Sequence, residues 1–171
     1  MVTAVTGTQQ AWQVAASVPD PELPMVTLAE LGILRDVRQD GDAVIVTITP
    51  TYSGCPAMRE ISHDLRHRLR GAGFSDVQVR TELSPPWSSD WITDAGRHKL
   101  AAAGIAPPNP AARRAAGASV PLTLSVNSRQ VACPRCGSMS TTETSAFSAT
   151  ACKALYRCLS CQEPFEYVKE I

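Results

Sequence analysis

The chain has 171 residues, a formal net charge of zero and 44% hydrophobic residues. This length suits one modest domain with a small appendage, and the neutral charge offers no general basic field to attract nucleic acid or anionic lipid. The longest apolar runs are too short to span a membrane, and residues 1–10 lack the basic and apolar regions of a signal peptide. We therefore expect a cytoplasmic protein with no nucleic-acid or membrane partner.

The N-terminal part of the chain alternates short helices and strands. Residues 8–17 could form a helix, and the proline-rich segment 18–24 then holds Asp20 and Glu22 on a stiff path. These carboxylates either belong to an ordinary turn or contribute to a site. The elements expected next are a capped helix from Thr27 to Gly32, a strand over 33–39, a hairpin turn at Asp40-Gly41, a strand over 43–49, a helix over 56–72, a strand over 77–83 and a helix over 94–103.

Cys55 lies between the second strand and the middle helix, in the segment 49–56. Pro56 suits the first helical position, which makes Cys55 the expected N-cap. Unpaired N–H groups at a helix N-terminus favour the thiolate form, and Thr51 supplies a nearby hydroxyl. Cys55 is therefore either a reactive or metal-binding cysteine or a small buried hydrophobe.

Two histidines, His63 and His67, are four residues apart on the middle helix and could bind a metal. Both point away from the apolar face and share their side of the helix with Arg66 and Arg70. This arrangement favours a solvated basic face over a metal site.

Composition changes after residue 100, where alanine and proline dominate. This change predicts a first domain over residues 8–104, a semi-rigid linker over 105–125 and a second domain over 126–171.

The second domain contains two Cys-x-x-Cys motifs, Cys133/Cys136 and Cys158/Cys161. Two such motifs can present four thiolates to one tetrahedral ion. We expect zinc, and iron in a rubredoxin-like site is the alternative because its ligand set is the same. A domain of this size buries too little area to be stable alone, so the metal would hold it together. Cys152 is an additional thiol, either a buried side chain, an alternate ligand or a participant in cluster chemistry.

Four motifs stand out in the first domain: Asp20-Pro-Glu-Leu-Pro24, Leu31-Gly-Ile33, the segment 49–56 and Trp87-Ser-Ser-Asp-Trp91-Ile-Thr93. Together they resemble the metal–sulfur cluster assembly domain of SufT-like and cytosolic iron–sulfur targeting proteins. The C-terminal residues 151–158 resemble the PaaD (PaaJ) family, accessory proteins of the bacterial phenylacetyl-CoA epoxidase system. The resemblance implies an α/β (α+β) fold with a compact three-stranded sheet and helices, plus a small all-β zinc ribbon.

The resemblance also implies a role in maturation rather than in turnover of phenylacetyl-CoA. Cys55 would contact iron or a transient iron–sulfur cluster, with Asp20, Glu22 and Thr51 beside it. The client would be the epoxidase reductase, with its [2Fe–2S] cluster, or the diiron oxygenase subunit. A cluster normally takes four ligands, so one cysteine requires a homodimer or a ligand from the client.

Two other hypotheses remain open. The protein could be a non-catalytic adaptor that docks on the epoxidase through its ribbon, with an inert Cys55. It could instead be an enzyme with Cys55 as nucleophile, although the sequence shows no obvious histidine base. The chain has no glycine-rich nucleotide loop, no Glu-x-x-His diiron pattern and no flavin fingerprint, so we expect an accessory protein rather than an enzyme.

Overall fold

The computed structural model describes residues 7–109 and 130–171. These residues form two compact units that divide after Ala103. Each unit carries its own small sheet, so the expected fold class, mixed α and β with a separate C-terminal sheet, is confirmed. The elements are α1 (Gly7–Ala16), β1 (Leu34–Asp40), β2 (Ala43–Ile48), α2 (Met58–Gly71), β3 (Asp76–Thr81), a 3-10 turn (Ser89–Trp91), α3 (Asp94–Ala102), β4 (Ile105–Ala106), β5 (Thr141–Ser145), β6 (Lys153–Cys158) and β7 (Pro164–Val168).

The first sheet has the order β1-β2-β3, with β2 in the centre. β1 and β2 are antiparallel and β2 and β3 are parallel, which requires the crossover that α2 supplies. Five of the six residues of β2 are buried, as expected for a central strand that reads as a continuous apolar run.

The turn between β1 and β2 differs by one residue from the prediction. Asp40 pairs with Ala43, so the two loop residues are Gly41 and Asp42 rather than Asp40 and Gly41. Gly41 has a φ of 60°, a left-handed conformation that glycine adopts without a Cβ penalty.

The predicted helix from Thr27 to Gly32 is wrong, although its capping contacts form. The Thr27 N–H donates to Glu30 Oε2 at 2.9 Å, and the Glu30 N–H donates to Thr27 Oγ1 at 3.2 Å. The N–H groups of Ile33 and Leu34 both donate to the Leu28 carbonyl. The chain therefore makes a hydrogen-bonded turn and enters β1 directly, before a helix can propagate.

The two tryptophans of the segment 87–93 contact this turn and the start of β1. Trp87 is buried, and its Nε1–H donates to the Leu31 carbonyl at 3.0 Å. The Arg35 guanidinium lies 3.4 Å from the centre of the Trp91 ring, within the range of a cation–π contact. This motif therefore contributes to the packing of the first unit.

The second unit is a four-stranded sheet of order β4-β7-β6-β5. Its first strand was not predicted, because Ile105 and Ala106, at the start of the predicted linker, pair with Glu166 and Tyr167 of β7. Residues 110–125 of that linker lie outside the described residues, so its proposed bounds stay a prediction. The core of this unit consists of Ala106, Val131, Cys133, Ala154, Tyr156, Cys158, Phe165 and Tyr167.

No helix within residues 7–109 and 130–171 has the length and apolar character needed to cross a bilayer.

Candidate metal and cluster sites

The four cysteines of the two Cys-x-x-Cys motifs converge on one point. Cys133 Sγ lies 3.8 Å from Cys161 Sγ, and Cys136 Sγ lies 3.6 Å from Cys158 Sγ. All four sulfur atoms lie within 4.8 Å of one another. Each close pair joins one motif to the other, so neither motif forms the site alone.

These distances fit a single tetrahedral ion. Zinc–sulfur bonds of about 2.3 Å place the sulfurs of a tetrahedron about 3.8 Å apart. All six cysteines are free thiols, so the four sulfurs are available to a metal. The donor set and its spacing therefore suit Zn²⁺, and the same four thiolates would also suit iron.

Both motifs use the same backbone device to aim their sulfurs. The residue after each second cysteine, Gly137 or Gln162, has a positive φ, of 72° and 65° respectively. The Cys133 N–H donates to the Ser138 carbonyl, and the Cys158 N–H donates to the Glu163 carbonyl, both at 2.9 Å. The two turns are thus matched halves of one site.

Hydrogen bonds and neighbouring sulfurs within the site shift the pKa values of Cys158 and Cys161 in opposite directions. The backbone N–H of Cys161 donates to Cys158 Sγ at 3.4 Å, and this contact lowers the pKa of Cys158 to about 6. A backbone hydrogen bond at Glu163 acts to lower the pKa of Cys161, but desolvation and the neighbouring sulfurs outweigh it and raise that pKa to about 12. Four thiolates this close repel one another, and a cation would relieve that repulsion.

Cys152 lies outside this group. Its Sγ contacts Thr150 Oγ1 at 3.1 Å, and its carbonyl accepts the Lys169 N–H at 2.9 Å. In the described residues the metal-ligand group contains Cys133, Cys136, Cys158 and Cys161 without it. Of the three interpretations that the sequence left open, this position favours a thiol that serves the packing of the sheet.

Cys55 follows the central strand β2, but it does not cap the helix. The N-cap of α2 is Ala57, and Pro56 and Ala57 form a separate turn in which the Met58 N–H donates to the Cys55 carbonyl at 3.4 Å. The expected N-cap position of Cys55 is therefore wrong, because the proline begins a turn before the regular helix. The residue is half-buried.

Asp20 holds its own turn together. The residue is 5% exposed, and its Oδ1 accepts the N–H groups of Glu22 and Leu23, both at 2.9 Å. The structural interpretation of this acid is thus supported by direct contacts. Glu22 is half-buried beside it.

A ladder of backbone hydrogen bonds brings the Asp20 segment to the end of the sheet where the Cys55 loop begins. The Thr49 N–H donates to the Ile33 carbonyl. The Ile33 N–H in turn donates to the Leu28 carbonyl, and the Leu28 N–H donates to the Val18 carbonyl, each at 2.9 Å. Both predicted segments therefore belong to one end of the first unit. The role of Cys55, Asp20, Glu22 and Thr51 in metal or cluster contact remains a prediction.

His63 and His67 stack with their ring centres 6.2 Å apart and their planes 8° apart. They do not belong to the metal-ligand group of the described residues. The parallel stack on an exposed helix face agrees with the basic surface that the sequence favours.

Two known families match the chain, one in its N-terminal part and one in its C-terminal part. Residues 8–80 match the family described as iron–sulfur cluster assembly protein. Residues 117–169 match the PaaD zinc beta ribbon domain. The four converging cysteines all lie within the second match.

Similarity to one curated protein extends over both regions. The chain is 43% identical over 160 residues to an Escherichia coli (strain K12) protein named as a subunit of the "Putative 1,2-phenylacetyl-CoA epoxidase", with 94% of this chain and 91% of that protein covered. The chain belongs to the PaaD family. Its resemblance to both an assembly domain and a PaaD ribbon is thereby confirmed.

Solved structures match the N-terminal part of this PaaD family member. A crystal structure of a DUF59 domain from Bacillus anthracis has a TM-score of 0.50 at 27% identity and covers 54% of this chain and 90% of its own. A Mycobacterium tuberculosis protein described as associated with [Fe-S] complex assembly and repair has a TM-score of 0.34 at 31% identity, over 55% of this chain and 80% of its own.

Proposed function

We propose that this protein is a maturation factor for the phenylacetyl-CoA epoxidase system, delivering an iron–sulfur cluster to the reductase or iron to the diiron subunit. The main support for the proposal is that two different families match one chain. An iron–sulfur assembly match spans residues 8–80 and a PaaD ribbon match spans residues 117–169. The named relative is an epoxidase subunit, which makes the epoxidase the natural client.

In this proposal Cys55 is the contact for the cluster, which is cargo rather than a resident group. The half-buried thiol lies in a loop at the end of β2, with Thr51 in the same loop. Asp20 shapes the neighbouring turn through its two backbone contacts, and Glu22 presents a carboxylate from that turn. Because clusters normally take four ligands, the remaining ligands come from a second copy of the chain or from the client.

The ribbon site holds a zinc ion with a structural role. Four cysteine ligands form a closed tetrahedral site, which leaves no position for a substrate. The small apolar core around it gives the second unit little stability of its own, so the ion supplies much of the folding free energy.

The adaptor hypothesis has support from the surface of the second unit. Phe147 is 63% exposed and Leu159 is 51% exposed, and large apolar side chains on a small domain often mark a docking surface. An adaptor would need these contacts and the ribbon metal, and it would not need Cys55.

Co-expression with the epoxidase reductase separates the two functions. We expect Cys55→Ala to yield reductase that lacks most of its cluster, measured by visible absorption and by iron per chain. Cys152→Ala is the matched control, because it removes a second half-buried thiol from outside the converging group, and it should deliver the cluster as the wild type does.

Full cluster loading with Cys55→Ala would end the maturation proposal. If that result came with severe loss of epoxidase activity in the Cys136→Ser variant, the adaptor function would replace it.

A further inference from the structure

One side of α2 carries a line of basic side chains. Arg59, His63, Arg66 and Arg70 recur at intervals of four, three and four residues, which places them in one line along the helix; we call them the basic stripe. Arg66 is half-buried and the other three are exposed. The opposite side of α2 packs into the core through Ile61, Leu65 and Leu69.

The arginines of the stripe have no ion-pair partner among residues 7–109 and 130–171. The ion pairs there join Lys99 to Glu30, Arg135 to Glu163 and Lys153 to Glu166.

Within the part of the chain that the structure describes, two internal contacts involve the stripe, and neither supplies a negative charge. The ring of His63 stacks on that of His67. Arg66 donates to the carbonyl of Ser62 at 3.2 Å. Of the two acids of the helix, Glu60 lines the same open depression as the stripe and Asp64 does not, so three arginines face one carboxylate there. The charge of the stripe therefore faces outwards.

Helix stability does not account for this pattern. The helix dipole favours cations in the last turn, where Arg68 and Arg70 lie, but it disfavours Arg59 near the first turn. Arg66 and Arg70 are four residues apart, a spacing at which like charges repel. Helix stability therefore explains Arg70 but neither Arg59 nor the spacing of Arg66 and Arg70.

The stripe begins beside the Cys55 turn. A shallow open depression of about 960 Å³ is lined by the four stripe residues together with Pro56, Met58, Glu60, Ser62 and His67. Pro56 directly follows Cys55 in the chain, and the stripe extends from there for about 16 Å along the helix. A protein held on the stripe would thus lie next to the proposed cluster contact.

We propose that the basic stripe docks an acidic surface of the client protein that receives the cluster. This inference rests on the proposed function and adds the surface by which the client is recognised. Complementary charge accelerates encounter and fixes the orientation of the two proteins, which is what transfer between Cys55 and client ligands requires. A protein is favoured over nucleic acid because four side chains on a chain of zero net charge form too small a basic field for a phosphate backbone.

The test uses the full-length protein and purified cluster-free reductase of the epoxidase as the probe. The stripe variant is Arg59→Glu with Arg66→Glu. The matched control is Arg68→Glu with Arg80→Glu, which makes the same change in charge at exposed positions of α2 and β3 outside the stripe.

We expect the stripe variant to bind the reductase about tenfold more weakly at low salt, mainly through slower association. The control should stay within about twofold of the wild type. High salt should weaken the wild type and leave the stripe variant almost unchanged. Circular dichroism and urea unfolding establish that the first unit of both variants is folded; if that of the stripe variant is not, Arg59→Gln with Arg66→Gln should show a smaller loss in the same direction.

Each other outcome is decisive. Equal affinity of the stripe variant and the wild type overturns the docking surface, and if Cys55→Ala still fails to load the reductase, the proposed function survives. Equal weakening by the control also overturns the surface, because any charge reversal would then suffice. Wild-type protein that neither binds the reductase nor loads it overturns both, and stripe-dependent binding to RNA or to anionic vesicles in that case would assign the stripe to them instead.

Discussion

Cys136 and Cys158 are 22 residues apart in the chain, yet their sulfur atoms lie 3.6 Å apart. The turn that carries Cys136 and the strand end that carries Cys158 are therefore held together at the converging site. Removal of one cysteine should therefore separate the Cys136 turn from the end of β6.

Cys136→Ser should release the metal and unfold the second unit while the first unit stays folded. The apparent metal-binding free energy at stake is on the order of 10 kcal/mol. Metal analysis and the amide spectrum of residues 130–171 measure the loss. Cys152→Ser is the control and should retain one ion per chain; an ion retained by Cys136→Ser would refute the ligand assignment.

Metal affinity of the ribbon should fall as the pH falls. Cys161 has a pKa raised to about 12 in the metal-free site, so it is protonated at neutral pH and must lose its proton when the ion binds. Each proton released makes affinity change about tenfold per pH unit. Competition with a chromophoric chelator, from mildly alkaline to mildly acidic pH, measures the slope of the logarithm of metal affinity against pH. Cys152→Ser should show the same slope, and a flat profile would contradict thiolate ligation.

Glu30→Gln should destabilise the first unit at neutral pH by about 0.5 kcal/mol, since its partner Lys99 is half-exposed. The Glu30 carboxylate lies 2.6 Å from Lys99 Nζ. Burial acts to raise the pKa of Glu30, but hydrogen bonds from Lys99 and Thr27 outweigh it and hold that pKa below its usual value.

Since the pKa of Glu30 is lower in the folded state, its contribution is present above the unfolded-state pKa and is lost as the pH falls through the folded-state pKa. Urea unfolding at neutral and acidic pH should therefore show the wild type and Glu30→Gln converging in acid. Glu82→Gln is the control for the loss of one carboxylate, because Glu82 is exposed and belongs to none of the ion pairs among residues 7–109 and 130–171. A gap between wild type and Glu30→Gln that widened in acid would contradict the assignment.

Gly32→Ala should cost the first unit about 3 kcal/mol, combining left-handed strain with overpacking. Gly32 has a φ of 70°, and an added Cβ would lie 2.5 Å from Trp91 Cβ. Gly41→Ala is the matched control, because Gly41 has a φ of 60° and nothing within 4 Å of an added Cβ, so it should cost only about 1 kcal/mol. Denaturant unfolding measures both, and equal costs would show that the Trp91 contact does not matter.

The sequence predicted the elements whose signals are local. The alternation of apolar residues located β3, and the spacing of the two Cys-x-x-Cys motifs predicted one shared site, in agreement with the convergence of Cys133, Cys136, Cys158 and Cys161. Both signals reside within a few neighbouring residues, or in a motif whose chemistry has few other uses.

The features that the sequence did not reveal depend on contacts far along the chain. The capping box at Thr27 formed, but the Leu31 carbonyl accepts the Trp87 indole N–H and the Ile33 and Leu34 N–H groups return to Leu28, so the chain enters β1 without a helix. Pro56 suits a turn and a first helical position equally well, so local sequence could not locate the start of α2. Nothing near Lys153 shows that its ammonium is buried and paired with Glu166 at 2.9 Å.

Ile105 and Ala106 of β4 pair with β7 and cover that edge of the second sheet. These two residues precede the region that matches the PaaD ribbon family, residues 117–169. A ribbon excised at residue 117 would lose this strand and leave the N–H and C=O groups of β7 open along that side. Unpaired strand edges recruit other chains, so such a fragment would self-associate even with its metal bound. A fragment that begins at Gly104 keeps the edge covered.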